Sequence, residues 1–313
     1  MKYLEFINDL IRKEVLEKEK LILFGQNISA GSCLGGLTRN LSVGTTGMII
    51  NSTNSENSLC GFGFGLMMNN VSAIFFMKQL DFLLLGMDHL VNTYNIIRNH
   101  NELKNSSFTI FPIVVDNGFQ GPQSSLNNLS DFCSMARIEG YTITNKIDAE
   151  KIIQSKLISP GFRIIAVSQR LFNEEIIEPN ELIYSNKENT IFQYTNGKDA
   201  TIVCFNFSFA YGKKIHEGLK EKDIESSLFN VNSANSTNWE KIIEDVKITQ
   251  KLIVIDDSKS KKNSCDSLIV DILQECDIKK KIILKRYFSQ DWVNPISDEF
   301  KVDINKIIIE LIT

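Results

Sequence analysis

An alternation constrains this chain more than any other feature. Short apolar runs at residues 21–24, 72–77, 108–115, 141–144 and 163–167 are separated by helix-like stretches at 58–69, 81–98 and 148–157. Runs this short and this apolar read as strands buried on both faces. Helices between such strands predict a largely parallel sheet covered on both sides. Ahead of the first run, Phe6, Ile7, Leu10, Ile11 and Val15 share one face of an amphipathic helix. A polar stretch at 173–198, with Glu174, Glu175, Glu178, Pro179 and Asn180 early in it, interrupts the pattern. The alternation then restarts, with strands at 200–205, 227–231, 251–256 and 281–284 and helices at 211–221, 239–249, 264–276 and 303–311. The fold class is α/β, in two consecutive domains at 1–175 and 198–313 joined by a linker at 176–197.

The length of 313 residues suits that division, since domains commonly run to about 150 residues. Lys and Arg total 34 against 38 Asp and Glu, a net charge of −4 that argues against a nucleic-acid partner. The apolar stretch at 80–85 is flanked by Lys78, Asp88 and His89 and contains Asp81, too short and too charged to span a bilayer. Met1-Lys2-Tyr3-Leu4-Glu5-Phe6 lacks the order of a signal peptide. Cys33, Cys60, Cys133, Cys204, Cys265 and Cys276 form no CxxC pair, as expected of reduced thiols in a cytoplasmic protein. His89, His100 and His216 stand at no metal-ligand spacing, so no metal site is expected.

Three local motifs read blandly. Gly61-Phe62-Gly63-Phe64-Gly65 matches no nucleotide-loop pattern, and its glycines read as points of close helix packing. Gly31-Ser32-Cys33-Leu34-Gly35 imitates a nucleophile elbow, but residues 25–30 separate it from the preceding strand, so Cys33 reads as a loop cysteine. Asp256-Asp257 reads as a solvated strand end.

Taken in order, however, the segments resemble a family. Residues 52–65, with Ser55-Glu56 ahead of the glycine-spaced helix, resemble the stretch around the cofactor-activating glutamate of thiamine-diphosphate enzymes. The resemblance is to the transketolase group, most closely the beta subunit of 2-oxoacid dehydrogenase decarboxylases. Gln79-Leu80-Asp81-Phe82, then Met87-Asp88-His89-Leu90-Val91-Asn92, are similar to its aromatic segment and following helix. Gly118-Phe119-Gln120-Gly121-Pro122-Gln123-Ser124-Ser125 resembles its Gly-x-x-Gly-Pro-Gln-His-Ser loop. Residues 197–203 and 245–257 resemble parts of its C-terminal domain, so the likeness runs from about Leu21 to the end.

The resemblance implies a thiamine pyrimidine-binding domain followed by a transketolase C-terminal-like domain. It implies that Glu56 hydrogen-bonds the aminopyrimidine of thiamine diphosphate, favouring the tautomer that deprotonates the thiazolium, and that Phe82 stacks on the pyrimidine. Two positions depart from the family. Ser124 replaces its loop histidine and, though able to hydrogen-bond substrate, is a poor acid or base. Ile158-Ser159-Pro160-Gly161 lacks the acid that often helps bind a structural potassium ion, so none is expected. The chain has no Gly-Asp-Gly. The family pattern then implies an alpha-type partner holding the diphosphate and Mg²⁺, in an α2β2 assembly. The expected activity is decarboxylation of a 2-oxoacid with transfer of its acyl or aldehyde unit. The alternatives are a split transketolase-like carboligase acting on ketoses or aldehydes, and a non-catalytic structural subunit.

Overall fold

Helix α1 (Tyr3–Val15) buries Tyr3, Ile7, Leu10, Ile11 and Val15, the stripe expected from its spacing. The computed structural model describes residues 1–99, 105–116, 126–235, 238–286, 300 and 302–312. After α1 the chain forms β1 (Leu21–Gly25), β2 (Met48–Asn51), α2 (Glu56–Met68) and β3 (Ser72–Met77). It continues through α3 (Tyr94–Ile97), β4 (Ser107–Val114), α4 (Leu129–Ala136), β5 (Glu139–Thr142), α5 (Lys146–Lys156) and β6 (Gly161–Ser168). The six strands make one sheet in the order β2-β1-β3-β4-β6-β5, and every pairing is parallel. All eight residues of β4 are buried, as a strand covered on both faces requires.

The second domain contains β7 (Tyr184–Ser185), β8 (Ile191–Thr195), β9 (Ala200–Phe205), α6 (Phe209–Lys220), β10 (Ser226–Val231) and α7 (Glu240–Thr249). It closes with β11 (Lys251–Asp256), α8 (Cys265–Glu275), β12 (Lys280–Lys285) and α9 (Ile304–Ile312). Its sheet runs β12-β11-β9-β10-β8-β7, parallel except that β8 lies antiparallel to β10 and β7 to β8. The fold is thus mixed α/β in two domains.

The structure differs from the sequence reading at several places. Strands β7 and β8 lie inside the polar stretch read as linker, because Ile191, Phe192 and Tyr194 are buried against the second sheet despite their polar neighbours. Residues 81–98 do not form one helix. They break into a 3₁₀ segment (Leu80–Gly86), a π-wound turn (His89–Thr93) and α3. The break follows Gly86, where any Cβ would overlap Cys60 Sγ on α2. Asp256 and Asp257 are not solvated; both are fully buried.

Burial of Asp257 is explained by its partners across the domain boundary. Arg170, just after β6, donates to Asp257 Oδ2 at 2.6 Å and lies 3.8 Å from Asp116 at the end of β4. Burial works against the Arg170 charge, but the two carboxylates outweigh it and hold the guanidinium above its ordinary value. A second buried polar cluster surrounds Asp148 on α5. Asp148 accepts from Thr144 Oγ1 (2.6 Å), Asn145 Nδ2 (2.9 Å), Asn230 Nδ2 (3.1 Å) and Asn232 Nδ2 (2.8 Å), the last two coming from the second domain.

Candidate functional site

Strand β1 has β2 on one side and β3 on the other, so the connection from β2 to β3 crosses it. In a parallel sheet, loops leaving the carboxyl ends diverge at such a reversal, and the crevice between them is the usual ligand site. Gly25 ends β1 with φ +150°, and a Cβ there would overlap the Phe76 carbonyl oxygen of β3. Only glycine allows that approach. The carbonyl of Gly25 accepts from Ser52 N–H at 3.0 Å. Asn51 and Ser29 tie the loops after β2 and β1 through bonds of 2.7 and 3.0 Å.

Residues 52–55 then lead into α2, whose first residue is Glu56. Ser55 precedes the helix without a side-chain cap, its hydroxyl donating to Ser58 Oγ at 2.9 Å. Glu56 is half-buried in the first turn, where the helix dipole favours negative charge. Among the described residues its carboxylate has no hydrogen-bond or ion-pair partner. Nearby in the same loop, Ser52 Oγ is buried and also lacks a partner. One turn along α2, burial pushes the Cys60 thiol up to about 12, with the Glu56 charge adding to the effect. Cys60 therefore stays protonated and is not a nucleophile.

Two of the three α2 glycines serve the packing expected of them. A Cβ on Gly61 would sit 2.9 Å from the His89 ring, and one on Gly63 would overlap the Phe108 ring. Gly65 faces open space. His89 is held by Thr93 Oγ1 at 2.9 Å from its Nδ1. Gly86 seats the 3₁₀ segment Leu80–Gly86 against the start of α2, where a Cβ would overlap Cys60 Sγ and lie 3.5 Å from the Glu56 carbonyl oxygen. Glu56 and Phe82 therefore reach the same carboxyl edge, one from the connection after β2 and the other from the connection after β3. Phe82 is half-buried, packed against the cluster that contains Leu80 and Leu83, while Leu84 and Leu85 are 56% and 60% exposed. Leu84 lines a groove of about 860 Å³ with Met135, Arg137 and Lys262.

Ser124 and residues 117–125 lie outside the described residues, as does His100. Cys33 has φ +49° and sits well beyond the end of β1, a loop cysteine and not an elbow. Among the described residues no group of three carboxylate, histidine or cysteine side chains is placed to hold a metal ion. Nor is any helix among them long and apolar enough to cross a membrane. Sequence reasoning passed over Ser52, Asp81 and Asn127, each buried or partly so beside this edge. The first two stood inside the segments that carried the resemblance.

No protein-family model and no curated protein matches the chain. Solved structures do. A split-gene transketolase, solved as an inactive beta4 tetramer, aligns over 98% of this chain and 95% of its own with a TM-score of 0.65 at 11% identity. The transketolase of Campylobacter jejuni subsp. jejuni NCTC 11168 aligns over 97% of this chain with a TM-score of 0.68 at 10% identity. The fold is transketolase-like. The chain spans 45% of the length of the Campylobacter protein but nearly all of the split-gene chain. A half-buried carboxyl group without a partner, such as that of Glu56, can accept a hydrogen bond when ionised and donate one when protonated.

Proposed function

We propose that this chain is the beta-type half of a heteromeric thiamine-diphosphate enzyme, supplying the pyrimidine end of a cofactor site completed by a partner subunit. The observation that carries the reading is the unpartnered, half-buried Glu56 at the start of α2, with Phe82 brought to the same edge by the fit of Gly86 on Cys60. These residues fit an aminopyrimidine. Glu56 and Ser52 Oγ leave polar atoms unpaired, and Phe82 offers an apolar face without competing hydrogen bonds.

When bound, the cofactor supplies an electron sink for negative charge on the carbon next to a carbonyl. The chain's own part is to hold and orient. Glu56 holds a proton at the pyrimidine ring nitrogen, and its place on a rigid helix fixes the direction of that bond. Phe82 fixes the plane of the ring. Ser124 hydrogen-bonds substrate without acting as a strong acid or base. The exposed Leu84 and Leu85 beside Phe82 suit burial by a partner, an alpha-type subunit carrying the diphosphate and Mg²⁺ in an α2β2 assembly.

The reaction joins or cleaves a bond next to a carbonyl. Collinear motifs favour a 2-oxoacid, decarboxylated with transfer of its acyl or aldehyde unit. A second reading, carboligation of ketoses or aldehydes, is favoured by the near-complete mutual coverage with a split-gene transketolase. Assays of the assembled enzyme with 2-oxoacids and with ketose phosphates separate the two, and turnover of sugar phosphates alone excludes the first. Glu56→Gln should lower turnover by roughly 10²–10⁴-fold in either case. Unchanged turnover would leave a non-catalytic subunit as the better reading.

A further inference from the structure

Asp81, next to Phe82, is buried and accepts from Leu126 N–H at 2.9 Å through Oδ1. The next residue, Asn127, is fully buried and has all its polar side-chain atoms engaged by the second domain. Its Nδ2 donates to the Asp257 carbonyl at 3.2 Å, and its Oδ1 accepts from Asn206 Nδ2 at 2.9 Å. Its own carbonyl accepts from Lys259 N–H at 2.6 Å. Asn206 follows β9 with φ +60° and also donates to Asp257 Oδ1 at 2.9 Å. Phe207 N–H donates to the same oxygen at 3.0 Å, and its ring is buried in the first domain's apolar cluster alongside Leu80 and Leu83. At the carboxyl edge of the second sheet, the place where a ligand would usually sit is thus filled by the first domain. The 3₁₀ segment carrying Phe82 is braced from that edge twice, by hydrogen bonds through Asp81, Leu126 and Asn127 and by packing through Phe207.

We propose that Asn127 and Asp81 are positioning residues, through which the second domain sets the place of Phe82 for the ring it stacks on. The proposal rests on the role given to Phe82 above. The buried Asn127 side chain is held by two groups of the other domain and so has one geometry. An alanine there removes both bonds and leaves the Asp257 carbonyl to Arg286 and Asn206 to Asp257 Oδ1. The helix that carries Glu56 is not part of this chain of bonds, so the two halves of the site can be loosened separately.

Hydrogen exchange on the full chain tests this without cofactor. Asn127→Ala should speed exchange of amides 80–86 by about tenfold, the worth of one lost buried hydrogen bond, while the α2 amides keep their wild-type rates. Asp81→Ala should do the same, and Asp81→Asn, which keeps an oxygen for Leu126 N–H, should stay near wild type. A uniform rise across both domains, an unchanged rate at 80–86, or an Asp81→Asn variant as loose as Asp81→Ala would overturn the proposal. In the assembled enzyme Asn127→Ala should weaken thiamine diphosphate binding by about tenfold and raise its apparent KM more than it lowers kcat. Unaltered affinity despite faster exchange would also overturn it. If the wild-type assembly bound no thiamine diphosphate, the functional reading would fall, while the exchange data would still decide whether the second domain fixes this segment.

Discussion

At the scale of single residues, the glycines of α2 separate packing from conformational cost. Gly63 faces the Phe108 ring with no room for a Cβ, whereas Gly65 is exposed with nothing within 4 Å. Gly63→Ala should therefore destabilise the protein by about 1–3 kcal/mol, since the ring and helix must move apart. Gly65→Ala should stabilise it by about 0.5–1 kcal/mol, because a glycine inside a helix loses more chain entropy than alanine. Urea unfolding of both variants measures the contrast; equal effects would mean that α2 does not pack on β4 as described. The packing role of Gly61 and Gly63 was legible from spacing alone. The buried state of Asp256 and Asp257 was not, because nothing adjacent in sequence reveals that Arg170 from the other domain pairs with Asp257, or that Asp256 accepts from the Ser258 and Cys265 N–H groups as the chain turns into α8.

Among the elements, the strands were the most readable, and for a physical reason. Residues 72–77, 200–205 and 251–256 match β3, β9 and β11 because strands buried on both faces must be apolar throughout. Edge strand β2 was missed: Met48 is 58% exposed, and a half-solvated edge carries no such run. Helix α5 is capped by Asn145, whose side chain accepts from Ile147 and Asp148 N–H at 3.0 and 3.1 Å. The same turn buries Asp148. Burial pushes its carboxyl from 3.8 up to about 6, against the pull of hydrogen bonds from Thr144, Asn145 and Asn232. A carboxyl that protonates more readily folded than unfolded favours the fold at low pH and loses that advantage as pH rises. The window here runs from about 4 to about 6, and the contribution is about 3 kcal/mol. Asp148→Asn cannot titrate, so its stability deficit against wild type should shrink by about that amount between pH 4 and pH 7. Denaturation at the two pH values measures the difference, and a deficit that grew with pH would reverse the assignment.

For the whole molecule, the two α/β domains were visible in the sequence, but the polar surface joining them was not. Arg170, Asp116 and Asp257 form its charged part, with one guanidinium between two buried carboxylates. Removing the cation takes the ion-pair partner from both buried carboxylates and leaves them hydrogen bonds from neutral donors such as Ser168, Asn206 and Phe207 N–H, so Arg170→Met should cost about 3–5 kcal/mol in unfolding free energy. A loss below about 1 kcal/mol, the range of surface pairs, would mean that water reaches this junction. The roles proposed for Glu56 and Phe82 rest on collinear resemblance, since they depend on a sheet reversal at β1 that no local motif encodes.

The central claim is that Glu56 serves a cofactor site shared with another subunit. Calorimetric titration of thiamine diphosphate with Mg²⁺, into this chain alone and then into its mixture with a partner carrying a Gly-Asp-Gly segment, tests it most directly. Binding should occur only in the mixture and should weaken by at least about tenfold in Glu56→Ala, whose melting temperature should match wild type. Binding that survives Glu56→Ala unchanged, or no binding in the mixture, would contradict the claim.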